Sequence, residues 1–198
     1  MSIRIPSGQS LHWEDVELSV GATGDIEIVV EGPVVVGFPR ERAESLSLEE
    51  LLQESGIAMG EGWSVATIEG AGAVWYAARL TAESASTIDR LQREGHNVRL
   101  TTPLDKLVVA AVAATRHTKN ILLRQIDDAI YVAFAESHRL RYAEVLPLGG
   151  ESDLVNLLAL LNKDFDLRKG EFTLVGEECG KYYKTVRKYF RRVRCEKL

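Results

Sequence analysis

Cysteine is scarce: the 198 residues hold two, Cys179 and Cys195. Glu178 to Arg194 reads as one helix between them, and a rise of about 1.5 Å per residue would set them roughly 24 Å apart, too far to bridge. The expectation is therefore two free thiols in a reducing compartment. Histidine is sparse as well. His12, His96, His117 and His138 have no metal-site spacing with each other or with the cysteines, so no metal is assigned. Long apolar runs are missing: the longest, Leu107 to Ala114, falls far short of the roughly 20 residues that cross a bilayer, which speaks against membrane insertion. The stretch Met1 to Pro6 lacks the apolar segment of a signal peptide, so a cytoplasmic location is expected. There is no low-complexity segment and no Gly/Ser linker. No serine sits in a Gly-x-Ser-x-Gly setting, and Gly60-Glu61-Gly62 and Gly70-Ala71-Gly72 precede strand patterns, which excludes them as P-loop or dinucleotide cradles. No residue is assigned a catalytic role.

What is present is ordinary for a soluble globular chain: 45% hydrophobic residues, enough to bury a core. The net charge of −5 hides an asymmetry. Lys181 to Leu198 carry eight Lys or Arg against Glu196, a local +7, which leaves −12 on the preceding chain. A basic end on an acidic body invites an electrostatic reading.

The second half has the clearer pattern. Asn120 to Ile126, Ala129 to Ala135 and Arg139 to Leu146 are short runs rich in β-branched and aromatic residues, joined by Asp127-Asp128 and Glu136-Ser137-His138, as in a β-meander. From Ser152, the expected N-cap, Leu154, Leu157, Leu158 and Leu161 recur at helical spacing. A strand from Phe172 to Val175 and the basic helix complete a β-β-β-α-β-α order. In the first half, Ser2 to Pro6 with Ser10 to Glu14, and Asp25 to Val30 with Val34 to Phe38, are expected as hairpins. A third hairpin is expected from Trp63 to Glu69 with Ala73 to Leu80. Ser47 with Glu50 makes a capping box for a helix stopped by Gly56. Thr81 and Gly95 bracket a second helix, Asn97 to Thr101 is a strand, and Pro103 to Thr115 is an apolar helix. The polar joint Arg116-His117-Thr118-Lys119 divides the chain into expected lobes 1–118 and 119–198. This is an α+β chain with a mixed sheet and covering helices in each lobe.

Ser2-Ile3-Arg4-Ile5-Pro6-Ser7-Gly8, Val34-Val35-Val36-Gly37-Phe38-Pro39 before an acidic helix, Arg139 to Leu146 leading into a helix, and Leu174-Val175-Gly176-Glu177 before Tyr182 carry a resemblance. Together they resemble a bacterial family of unknown function with an actin-like, ribonuclease-H-like duplicated fold. That family is distantly similar to the actin-like assembly proteins of type IV pili. The resemblance implies an actin-like ATPase fold whose first lobe is degenerate. It also implies where a nucleotide would sit: an Asp-x-Gly turn in each lobe around the phosphates, and a Gly-Gly turn against the adenosine.

The matching positions depart from those motifs. The first turn is Pro6-Ser7-Gly8, with proline in place of the carboxylate and without its N–H. The second is Asp127-Asp128-Ala129, with alanine where glycine permits close backbone approach. The third is Gly176-Glu177, which adds a carboxylate near anionic phosphates. Ser7, Gly8, Asp127, Asp128 and Gly176 would line the site if ATP and Mg²⁺ bound, and the departures disfavour that cofactor. The paired aspartates read better as turn formers than as acid ligands of a nuclease centre. On the last helix Tyr183, Val186, Phe190 and Val193 form an apolar stripe, and Lys184, Arg187, Lys188 and Arg191 face outward as a candidate partner surface. The expected function is a non-catalytic interaction or scaffold protein with another protein as partner. A nucleotide-binding ATPase is the first alternative, and an accessory protein that binds nucleic acid through the basic helix is the second.

Overall fold

The computed structural model describes residues 1–6, 8–17, 24–32, 35–54, 63–71, 74–115, 118–177 and 179–197. Ser7, Gly56, Gly60-Glu61-Gly62, Gly72 and Arg116-His117 lie outside the described residues. The chain packs as two units, Met1–Asp105 and Lys106–Leu198. Against the expected division after residue 118, the apolar helix α5 (Pro103–Ala114) passes from one unit to the other in its first turn.

In the first unit, β1 (Ser2–Ile5), β2 (Asp25–Val30) and β6 (Asn97–Thr101) form a parallel sheet in the order β1-β2-β6. Ile26, Ile28 and Val30 alternate inward on β2. Neither of the first two expected hairpins forms. After the turn at Pro6 the chain enters a short helix, α1 (Trp13–Glu17). Leu11 is buried and anchored to a helix instead of a strand: its N–H donates to Ser84 Oγ at 2.9 Å, and its carbonyl accepts from Thr87 Oγ1 at 2.9 Å. The second hairpin fails because both edges of β2 are already taken in parallel. Buried Glu31 extends the β1–β2 ladder through its N–H to Ile5 O, and its carboxylate meets Arg4 at 2.8 Å.

β3 (Val35–Pro39) pairs antiparallel with β5 (Val74–Thr81), which pairs antiparallel with β4 (Trp63–Glu69), the hairpin read from the sequence. Helices α2 (Arg40–Ser45) and α3 (Leu48–Glu54) cover these strands with Leu51 and Leu52 against Phe38 and Ala77. The capping box forms: Glu50 N–H donates to Ser47 Oγ at 3.3 Å and Ser47 N–H donates to Glu50 Oε2 at 2.8 Å. The Ser47 N–H first, and then the Ser47 hydroxyl, donate to the Glu50 carboxylate and hold it below its ordinary range. Helix α4 (Ala82–Arg93) starts at Thr81, whose side chain accepts from Ser84 N–H, and ends before Gly95 at φ 89°.

In the second unit β7 (Lys119–Ile126), β8 (Ala129–Glu136) and β9 (Arg139–Pro147) form the meander. Ser137 and His138 both take positive φ, 51° and 60°, the primed turn that matches strand twist. Helix α6 (Glu151–Phe165) begins one residue before the expected cap, with Gly150 at the N-cap. A 3-10 turn, Leu167–Lys169, leads to β10 (Glu171–Val175), which is parallel to β7. The core joins Leu154, Leu157, Leu158 and Leu161 of α6 to Ile121, Leu123, Ile130, Val132, Phe134, Phe172 and Leu174 of the sheet.

The last element departs from expectation. Helix α7 (Cys179–Tyr189) stops five residues before Arg194, and Arg192–Glu196 form a further strand, β11, parallel to β10. Phe190, the next residue after the helix, stacks on Phe172 with ring centroids 3.9 Å apart. Val193 then reaches the core from a strand and not from the helical stripe. This return brings Cys195 beside Cys179, Cα–Cα 5.6 Å, in a disulfide. The expectation of two separated free thiols is therefore corrected: it assumed a continuous helix, and the chain reverses after Tyr189. The order in this unit is β11-β10-β7-β8-β9.

Candidate functional site

Of the positions where the resemblance places a nucleotide, Gly8, Asp127, Asp128 and Gly176 fall in turns or bends beyond strand ends. In the first unit Gln9 N–H donates to Pro6 O at 3.2 Å, and Gly8 takes φ 72°. A Cβ on Gly8 would meet nothing within 4 Å, so glycine is needed there for the backbone twist and not for close approach. This turn leads to α1 and does not join two paired strands, which removes the strand–turn–strand frame that the resemblance implies. Ser7 lies outside the described residues.

In the second unit Asp127 and Asp128 are exposed at the β7–β8 tip, with Asp127 at φ 49°. Gln125 Nε2 donates to Asp127 O at 2.7 Å, and Leu148 N–H donates to Asp128 O at 2.6 Å. The carbonyls serve a turn and a tie to the end of β9, in keeping with two turn formers. Ala129 is 2% exposed and lies between Ile126 and Pro147 in the ladder. Beside it, between Gln125, Ile130, Val175, Cys179 and Tyr182, lies a cavity of ≈ 20 Å³. That is room for about one water molecule. Gln125 Oε1 is buried there with no hydrogen-bond partner among the described residues.

Gly176 takes φ 113° between β10 and α7, and a Cβ would meet nothing within 4 Å. Its N–H donates to Glu196 O at 2.9 Å, and its carbonyl accepts from Cys179 N–H at 3.2 Å. The turn where the resemblance places adenosine is thus capped by the chain's own last strand, and the Cys179–Cys195 disulfide fastens that strand across the start of α7. At these positions the proline lacks an N–H, Ala129 is packed, and the Gly176 N–H is already bonded.

The basic candidates do not form one helical face. Lys184 and Lys188 are exposed on α7. Arg187 turns back to the helix end, donating from Nη1 to Phe190 O at 3.2 Å and to Arg191 O. It therefore caps the C-terminus of α7, where a cation is favoured. Arg191 is exposed in the bend beyond the helix. Arg192 and Arg194, which the helical reading left out of the candidate set, share Glu171 at 3.5 and 3.9 Å while remaining 65% and 69% exposed. Their alternation with Val193 and Cys195 is the period-two signal that could have marked the strand.

Among the described residues no group of three or more His, Cys, Asp or Glu side chains is placed to hold a metal. Two tyrosines stand out electrostatically. Burial first, and then the neighbouring carboxylate, raise the Tyr76 and Tyr142 hydroxyls well above their ordinary 10.0. Tyr76 donates to Asp105 Oδ1 at 2.9 Å, and Tyr142 donates to Glu144 Oε2. Burial also raises the Glu144 carboxyl. The first pair ties β5 to the first turn of α5, and the second joins two residues on one face of β9.

No protein-family model matches the chain, and no curated protein matches it. Solved structures do. A Bacteroides thetaiotaomicron VPI-5482 protein of unknown function with an actin-like ATPase fold aligns with a TM-score of 0.70 at 17% identity, over 86% of this chain and 68% of that one. The PilM–PilN type IV pilus biogenesis complex aligns at 0.49 and 11% identity, over 86% and 68%. The cytoplasmic domain of EpsL, an inner-membrane component of the Vibrio cholerae type II secretion system, aligns at 0.38 and 14% identity, over 87% and 80%. The first alignment carries the assignment, and the other two are too loose to add to it. The chain has an actin-like ATPase fold.

Proposed function

We propose that this chain is a non-catalytic actin-like protein whose work is interaction or scaffolding, with another protein as its partner. The observation that supports it most is the closed Gly176 turn: Glu196 O occupies its N–H, and Cys195 is bonded to the first residue of α7. Pro6 and the packed Ala129 support the same reading, in which neither ATP nor Mg²⁺ is a resident cofactor. An actin-like ATPase is the alternative that the fold alone favours. Titration with a fluorescent ATP analogue and Mg²⁺ distinguishes the two. No saturable binding at micromolar protein is expected, and saturable binding displaced by unlabelled ATP would establish the alternative.

The nucleic-acid reading has less support than the sequence suggested, because Arg187 is spent on a helix end and Arg192 and Arg194 are partly neutralised by Glu171. Among the described residues no helix is long and apolar enough to cross a membrane. The proposal of a cytoplasmic location loses its thiol argument. A joined Cys179–Cys195 pair suits an oxidising compartment, or a redox-responsive bond in the cytosol.

A further inference from the structure

We propose that the outer edge of β11 is a docking strand for an extended acidic segment of a partner protein, which adds to the sheet and sets its carboxylates against Arg192 and Arg194. This rests on the reading of the chain as an interaction protein and names the surface and the chemistry of the partner.

Among the described residues β11 stands at the end of its sheet and pairs with β10 alone: Arg192 to Glu196 match Glu171 to Val175 residue for residue. Four of its five residues are exposed, Val193 being the exception. An extended peptide beside such an edge gains main-chain hydrogen bonds, and its alternate side chains gain selectivity. Arg192 and Arg194 lie two positions apart and so project from one face of the strand, about 7 Å apart along it. Among the described residues they share one carboxylate, Glu171, at 3.5 and 3.9 Å, which balances one of their two positive charges. Carboxylates at alternate peptide positions match that spacing and the forked guanidinium geometry. The wider surroundings favour the same charge, since residues 181–198 carry eight cations against Glu196.

A basic edge also serves to keep a strand from pairing at all. A bulge or a proline is a further guard of that kind. β11 is regular over its five residues, contains no proline, and is held to the start of α7 by the Cys179–Cys195 disulfide. Its edge is thereby fixed in advance of binding, which lowers the ordering cost of association. A polyanion such as RNA would meet the same cations, but it offers no main-chain ladder to the strand edge.

The test uses the full oxidised chain and a labelled peptide of alternating Glu and Val, measured by fluorescence anisotropy at about 0.15 M salt. Saturable binding is expected. Arg192→Glu with Arg194→Glu should weaken it at least about tenfold, and N-methylation of alternate peptide amides, which keeps charge but blocks the ladder, should abolish it. If the double reversal does not fold, Arg194→Gln is measured instead and should still lower affinity. Equal binding of the N-methylated peptide, indifference to both arginine variants, tighter binding of oligo-uridine than of the peptide, or self-association of the chain through β11 would each overturn the proposal. None of these outcomes depends on nucleotide, so the absence of ATP binding stands or falls separately.

Discussion

The N–H of Gly176 donates to the carbonyl of Glu196 at 2.9 Å, so the turn that opens α7 is closed by the strand that follows that helix. The covalent counterpart is Cys179–Cys195, spanning a sequence separation of 16. A loop of about that length should contribute about 3 kcal/mol by restricting the unfolded chain. Cys195→Ser is expected to lower unfolding stability in urea by that order, and dithiol reduction of the native chain should do the same. Unchanged midpoints in both would mean that the bond does not constrain this unit.

The core of the second unit can be probed along one helix. Leu158 is 2% exposed and Leu160, two residues on, is 61% exposed. Leu158→Ala should cost about 2–5 kcal/mol through lost burial and a cavity. Leu160→Ala and Lys163→Ala should stay within about 0.5 kcal/mol. Similar losses at all three positions would show that α6 presents a different face to the sheet.

Much of this architecture is legible in the sequence because it is local. The meander, the Ser47–Glu50 box and the Thr81 cap each arise from residues a few positions apart, and each is present. The first two hairpins are not, because the choice between an adjacent antiparallel partner and a distant parallel one is made by tertiary contacts. Leu11 is held by Ser84 and Thr87, and β2 by β1 and β6. The basic end misleads for a related reason: Tyr183, Val186, Phe190 and Val193 fit a helical period, while Arg192 to Glu196 also alternate. Phe190, just past the end of the helix, stacks on Phe172 of β10, a contact across the sheet that no local period shows. Gly8, Asp127, Asp128 and Gly176 lie in turns or bends. Their hydrogen-bond partners, above all Glu196, come from across the sheet and have no sequence signature.

Ser84 tests the anchor that replaced the first hairpin. It is fully buried, and its Oγ accepts from Leu11 N–H at 2.9 Å. Ser84→Ala should cost about 1–3 kcal/mol by leaving that N–H without a partner. Ser86→Ala, on the exposed side of the same helix, should be near neutral. Equal effects in thermal unfolding would argue against the tie between residue 11 and α4.

Glu144 gives a pH dependence with a defined sign. Burial raises its carboxyl above the ordinary 4.5, and the Tyr142 hydroxyl opposes that shift. The folded state therefore holds the proton to higher pH than the unfolded state does. The resulting stability is fully present below about the ordinary value and is lost as pH rises through the folded pKa. The stability of Glu144→Gln relative to the native chain should accordingly increase with pH from about 4.5 upward and then level off. A relative stability that decreases over that interval would reverse the assignment.

The central proposal, an actin-like fold that does not use nucleotide, is tested most directly by thermal unfolding with millimolar ATP and Mg²⁺ against adenosine and against buffer. A ligand present at one hundred times its dissociation constant would add about 2.7 kcal/mol. For a chain of this size that raises the midpoint by about 5–10 °C. With Gly176 bonded to Glu196 and Ala129 packed, the midpoint should be the same in all three conditions. A rise of that order with ATP and Mg²⁺, absent with adenosine, would contradict the proposal and make the chain an actin-like nucleotide-binding protein.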